Sequence, residues 1–321
     1  MKNNNFVKVL FKGLQMYLMN IHKFVMYMAF PIFGQLLGMV LIFLPALYLK
    51  DNLPTLAVKY AFFAEPSKQL ALLLLVILPG LVLMVSAFWK YLVAYVALNS
   101  MTHSAQTSGR IYDFPAHNGV VNRNLWSYIL LWLIISIIGF VCFNPLLFTV
   151  GGILFVFCIL VFQVFTFETD AGVVNCFSKS VKLVKGVFWQ TLSLAVILFL
   201  IAWGVSELCL FGLGKIIDAR SFLANIAWMF VATDYVNMLN AKLPIMIQIT
   251  PQFISQVLFS SLISFIIFGF TLPLRSICWT LWYKKLGAKV AKSPTKKISK
   301  GKKQLDPEIL RRANLKDDEE V

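Results

Sequence analysis

The sequence predicts an all-α polytopic membrane bundle: six transmembrane helices, with amphipathic helices at the cytoplasmic interface. Three observations carry that expectation. Hydrophobic residues fill 59% of the 321 positions and charged residues only 13%, where soluble chains are about a quarter charged. Residues 69–98 contain a single charge, Lys90, and about twenty apolar residues make a helix that crosses the hydrocarbon of a bilayer. Basic residues gather on alternate connections, which is the charge bias of cytoplasmic loops.

Six stretches qualify as spans: 24–49, 69–98, 125–143, 146–168, 188–212 and 254–283. The first is too long for a signal core of about 7–15 apolar residues, so it is expected to stay in the membrane. It contains Gly34-Gln-Leu-Leu-Gly38, a small-xxx-small pattern that lets helices approach closely. Spans three and four are parted by Asn144-Pro145. Proline removes a helix donor and restricts the residue before it, so a tight hairpin is expected there. Pro31, Pro45, Pro79 and Pro273 are expected to kink their helices. Residues 1–283 read as one membrane domain and 284–321 as a charged, largely flexible cytoplasmic tail. Residues 222–239 read as an outer-surface amphipathic or shallow re-entrant helix. As a seventh span they would carry Asp234 and send the basic tail outside.

The net charge is +15. With both termini inside, six of the 29 Lys and Arg face outward: Lys50, Lys59, Lys68, Lys215, Arg220 and Lys242. The rest fall on the cytoplasmic side of a cell membrane. Lys2 replaces the glycine that myristoylation needs, and Val321 ends the sequence without a prenylation cysteine. The tail runs from Lys284 to Lys303 with nine lysines and no acid. Anionic lipid is the partner such a segment attracts. No aromatic residue follows Tyr283 to stack on bases, so nucleic acid is not an expected partner. In the tail, Asp306-Pro307-Glu308 carries the cap, first-turn proline and acid of a short helix.

The five cysteines, Cys142, Cys158, Cys176, Cys209 and Cys278, lack zinc or thioredoxin spacing and read as buried small apolar residues. Cys176 is placed in a short cytoplasmic loop.

Three stretches resemble one another. Each sets a polar or basic amphipathic segment before an odd-numbered span, and Trp126 and Trp189 mark two of the junctions. In the third stretch Val174, Phe177, Val181 and Val184 recur at helical spacing, with Lys179, Lys182 and Lys185 on other faces. A helix of that kind lies among headgroups with its lysines outward. Three hairpins, each introduced by an interfacial helix, are the expected organisation.

The same stretch carries a family resemblance. Ser180, Leu183, Gly186 and Phe188-Trp189 form a Ser-x-x-Leu-x-x-Gly-x-(Phe/Trp) run before span five, and Trp282-Tyr283 close span six. The pattern, over residues 168–200 and 270–285, resembles a broad group of bacterial and archaeal six-span proteins. That group is similar to the membrane domain attached to some glycerophosphodiester phosphodiesterases. The resemblance implies a membrane module. Without a soluble catalytic segment it transfers no enzymatic activity.

Ionisable groups within a membrane are the default functional candidates. Lys90, Glu168 and Arg275 lie near the inner ends of their spans and are expected either to meet as an ion cluster or to snorkel toward headgroups. Glu207 lies near the outer end of span five. Span centres carry no acid or base, which disfavours an ion-coupled carrier. Gln35, Gln163, Ser193, Ser260, Ser261 and Ser264 are expected to hydrogen-bond between helices. Lys179, Lys182, Lys185, Lys284, Lys285, Lys289, Lys292, Lys296 and Lys297 are the expected anionic-lipid contacts. His22, His103 and His117 lack metal-ligand spacing, and no phosphate loop, nucleophile elbow or dinucleotide fingerprint is present. No cofactor or metal is expected. The leading functional reading is a non-enzymatic membrane protein supporting lipid handling, membrane organisation or transport, with a protein partner or second copy. The alternatives are a transporter or channel subunit, and a lipid-modifying enzyme using His103, Asp113, His117, Glu168 and Asp170.

Overall fold

The computed structural model describes residues 5–107, 111, 114–168, 172–216, 240–241 and 250–292. Residues 222–239, Asp113, Asp170, Lys296, Lys297 and the 306–308 cap lie outside them. The long elements are α-helices: α1 (Asn5–Met19), α2 (Ile21–Lys59), α3 (Pro66–Thr107), α4 (Phe114–Asn122), α5 (Leu125–Phe143), α6 (Phe148–Cys158), α7 (Val161–Phe167), α8 (Val173–Lys185), α9 (Phe188–Ile216), α10 (Pro251–Phe270) and α11 (Leu272–Lys292). A short 3₁₀ turn, Ala61–Ala64, joins α2 to α3, and no strand occurs among the described residues.

Five segments are long and apolar enough to cross a membrane, and the pair α10–α11, bent by 42°, makes a sixth if it counts as one span. Lipid cannot hydrogen-bond a peptide group, so a spanning chain must satisfy its backbone within helices. Two expected boundaries change. Helix α2 continues through Lys50 and Asp51 for 39 residues, about 58 Å at the α-helical rise, and α3 runs for 42. The connection expected to loop outside is therefore mostly helix. Span four is not one rod: α6 and α7 are parted at Ile159-Leu160.

The prolines behave differently from one another. Pro31, Pro45 and Pro54 lie within unbroken α2, and Pro79 within unbroken α3. Pro273 sits in the first turn of α11, where a missing N–H costs nothing, directly after the bend. The Asn144-Pro145 hairpin forms as expected, with Leu146 N donating to Asn144 Oδ1 at 3.0 Å.

Three helix pairs pack as hairpins, α2 with α3, α5 with α6, and α9 with α10, and one short helix precedes each: α1, α4 and α8. Burial is uneven along the spans. Phe24, Met28 and Ile32 of α2, Val93–Leu98 and Met101 of α3, Tyr128 and Leu131 of α5, and Val161–Phe165 form one core with α8 and α11. The opposite halves keep their apolar side chains outward, with Phe140 79% and Leu208 72% exposed. Hydrocarbon is as apolar as leucine, so in a bilayer those faces need no protein cover. Helix α11 is the post of the packed end. Ile277, Cys278 and Trp282 are fully enclosed, and it touches α1, α3, α7, α8 and α10.

The small-xxx-small motif closes the first hairpin. A Cβ on Gly80 would lie 2.9 Å from the Gly38 carbonyl oxygen and from Ile42 N, and one on Gly34 would lie 2.8 Å from Ala87 Cβ. The two backbones touch there, and any side chain pushes them apart. Gly80→Leu should lower stability by about 1–3 kcal/mol, the range for overpacking, read as a fall in thermal midpoint in detergent. Gly139→Ala, where nothing lies within 4 Å, should not; equal behaviour of the two variants would contradict the crossing.

Candidate functional site: a cavity beneath the bent span

Amphipathic helix α8 shows how the packed end is assembled. Its buried residues are Cys176, Ser180, Leu183 and Val184, one stripe at helical spacing. Of the expected apolar stripe, Val184 is buried, and Val174, 80% exposed, is not covered by protein. Cys176 and Ser180 are small, and they let α8 close on the broken fourth span. Ser180 Oγ donates to the Phe157 carbonyl at 2.6 Å, an acceptor that the break in α6 releases. Phe188 packs on Phe157 with ring centroids 5.2 Å apart. Ser180 therefore ties α8 to that break, and Phe188, at the start of α9, packs on the same residue. Cys176 belongs to this helix, not to a loop. Burial, reinforced by the Glu168 carboxylate, pushes its thiol up to about 11.

The expected cluster of Lys90, Glu168 and Arg275 does not form. Glu168, the cap of α7, is paired with Lys179 and accepts 2.6 Å from Tyr283 Oη, because the turn after it folds α8 back alongside. Partial burial pulls its pKa up, but the Lys179 and Tyr283 hydrogen bonds outweigh that and hold the carboxyl below its ordinary value. Lys90 is exposed and borders a groove with Tyr27, Phe114 and Asn118 on another side of α3. Arg275 does not snorkel. Its Nη2 reaches back across the bend and donates to the Phe268 carbonyl at 2.6 Å, and its guanidinium lies 5.4 Å from the Phe268 ring. A cation at a helix C-terminus is electrostatically favoured.

Among the expected lipid contacts, Lys179, Lys182 and Lys185 are exposed. Lys284 is turned inward: its Nζ lies 2.7 Å from both His103 Nδ1 and Gln106 Oε1, and 5.5 Å from the Phe167 ring centroid. It therefore does not share the surface of the α8 lysines. Lys285 is partly buried, and Lys289 and Lys292 lie on the last turns of α11. His117 bonds Ser100 at 2.9 Å, apart from His103, and among the described residues no three His, Cys, Asp or Glu gather.

Sequence reasoning missed the polar knot at the centre. Asn99 Oδ1 accepts from Ser276 Oγ (2.7 Å), Thr280 Oγ1 (3.1 Å) and Gln163 Nε2 (3.3 Å). Asn99 Nδ2 donates to Thr166 Oγ1 at 3.2 Å. These bonds join α3, α7 and α11, and Asn99 and Thr280 are wholly enclosed. Ser276 and Thr280 are one helical turn apart, a signal that shows them on one face of α11 but not what they meet. Of the residues expected to bond between helices, Gln163 does so, and Ser264 meets Ser206 at 2.9 Å. Gln35, Ser193 and Ser260 instead bond carbonyls of their own helices, as mid-helix hydroxyls often do.

Beside the knot lies a cavity of about 340 Å³. Its walls are mostly apolar and aromatic, including Trp132, Phe155, Leu198, Phe199 and Trp279, and three polar residues enter it: Gln163, Arg275 and Ser276. Both helix breaks border it, through Cys158 and Ile159 on one side and Leu272 on the other. Buried polar atoms are almost always paired. Here Gln163 Oε1, Arg275 Nε and Trp132 Nε1 are buried without a hydrogen-bond partner, and all three residues line this one cavity. No family model, curated protein or solved structure matches the chain.

Two outcomes follow. Asn99→Leu, near-isosteric but without the acceptor, strands three buried donors and should cost at least about 1–3 kcal/mol, read by thermal unfolding in detergent. Glu168 has a native pKa below its ordinary 4.5. Its stabilising effect is then present above that value and lost as pH falls through the native one. Glu168→Gln should be less stable than the parent at pH 7, and the gap should close under strongly acidic conditions; a gap independent of pH would contradict the pairing.

Proposed function

We propose that this chain is a non-enzymatic integral protein of the cell membrane that handles lipid, holding an amphiphile inside its helix bundle. The observation that carries the reading is the cavity beneath the bent span, apolar for most of its wall and supplied with unpaired polar atoms at one place. Pockets of about 300–1,000 Å³, largely apolar with a few placed polar groups, are the common form of small-molecule sites. The resemblance of residues 168–200 and 270–285 to the membrane domain of glycerophosphodiester phosphodiesterases is consistent with a lipid-facing module.

In this reading α1, α4 and α8 lie in the inner headgroup layer and both termini are cytoplasmic. Lys179, Lys182 and Lys185 are exposed and contact anionic lipid. Trp126 and Trp189, 82% and 75% exposed, serve as interface anchors.

One observation favours a transporter subunit as the second reading. The α10–α11 pair is bent by 42°, and a discontinuous helix beside a cavity is a transporter arrangement. Substrate flux in proteoliposomes separates it from lipid handling.

Native mass spectrometry of the full chain, extracted in mild detergent, tests the first reading. Adducts of lipid mass should persist, and Ala195→Phe, which adds a ring at the cavity wall, should remove them. A parent protein free of adducts, after purification with the membrane's own lipids present, would overturn the proposal.

A further inference from the structure

The cavity does more than offer apolar space: its polar end has a sign. Among the described residues, Arg275 has no acidic partner. Its neighbours are the Phe268 carbonyl and ring and the Tyr91 hydroxyl, none of which carries a negative charge. Its Nε is buried and unpaired, its Nη2 is engaged at the bend, and the residue lines the cavity. A cation held in low dielectric without a counter-charge is costly unless paired.

A second observation is independent of the charge. Gln163 is only 4% exposed. Its Nε2 is committed to Asn99, which fixes the amide and leaves Oε1 without a partner on the same wall. Ser276 Oγ donates to Asn99 and keeps free acceptor capacity. Arg275 Nε therefore offers a donor, and Gln163 Oε1 and Ser276 Oγ offer acceptors. The remaining walls are mostly apolar and aromatic, among them Phe155, Leu198 and Phe199.

We propose that the cavity binds a single-chain amphiphile with an anionic head, a carboxylate or phosphate, paired to Arg275. The proposal rests on the lipid-holding reading and adds the head's charge to it. Guanidinium is the side chain best shaped for such oxyanions. The bent span explains why the site exists: the α10–α11 break frees the carbonyl that anchors Arg275, and the Asn99 knot holds the opposite wall.

The test uses the full chain in neutral detergent, stripped of lipid, with labelled palmitic acid, palmitoyl lysophosphatidic acid and hexadecanol as probes. The first two share a chain length with the third and differ in head charge. At pH 8 one or both acids should bind saturably and about 10- to 100-fold more tightly than hexadecanol, the range for one hydrogen-bonded charge. The tighter of the two identifies the head as carboxylate or phosphate. Arg275→Gln should bring acid affinity down to that of hexadecanol and leave hexadecanol unchanged, and Arg275→Lys should retain part of the preference. Equal affinity of acids and alcohol for the parent protein would overturn the anionic head while leaving amphiphile binding intact; that comparison needs no variant. Failure of all three probes to bind, or an Arg275→Gln variant with undiminished acid preference, would also overturn it, the first outcome taking the lipid-holding reading with it.

Discussion

One carbonyl oxygen organises the packed end. Asn99 Oδ1 gathers donors from α7 and α11, and the same side chain donates to Thr166. In a membrane, apolar contact between helices gains little over contact with lipid, so polar bonds and close backbone packing decide which helices stay together. The knot works in that setting because its members lie on three different helices. A bond within one helix, such as Gln35 to the Pro31 carbonyl, fixes no neighbour. With α3, α7 and α11 pinned, the short helices have a surface to close on, and the cavity has a rigid wall.

The breaks in spans four and six depend on the same economy of polar groups. A helix interrupted at membrane depth exposes carbonyls that lipid cannot satisfy. Side chains take up the carbonyls here: Ser180 of α8 on Phe157, Tyr17 of α1 on Phe270 at 2.9 Å, and Arg275 of α11 itself on Phe268. Helices α1 and α8 are thus part of the support of the bent spans as well as short surface helices. Ser180 needs α8 at close range, and the small Cys176 allows it.

Much of the architecture was legible from apolar run length. The apolar membrane-length runs, the Asn144-Pro145 turn and the Gly34–Gly38 contact all follow from local rules, because each depends on neighbours a few residues away. The ends of α2 were not legible, since Lys50 and Asp51 are polar without being helix-breaking. The cavity was illegible for a different reason. Gln163 and Arg275 stood out in the sequence, but Ser276, Thr280 and Asn99 are ordinary residues until the fold brings them together across more than 170 positions. Glu168 and Arg275 looked like partners because they share a depth; the fold gives each a nearer one.

The first hairpin sets a further condition on where this protein can work. The apolar part of α2, Ile21–Leu49, has 29 residues and reaches about 43 Å, against a hydrocarbon layer of about 30 Å. Such excess length is accommodated by tilting or by local thickening of the bilayer, at a cost that sorts proteins among membranes. Because the glycine crossing at Gly38 and Gly80 joins α2 to α3, the two rods must lean together. Asn99, which bonds the cavity residues Gln163 and Ser276, lies on that same α3 rod.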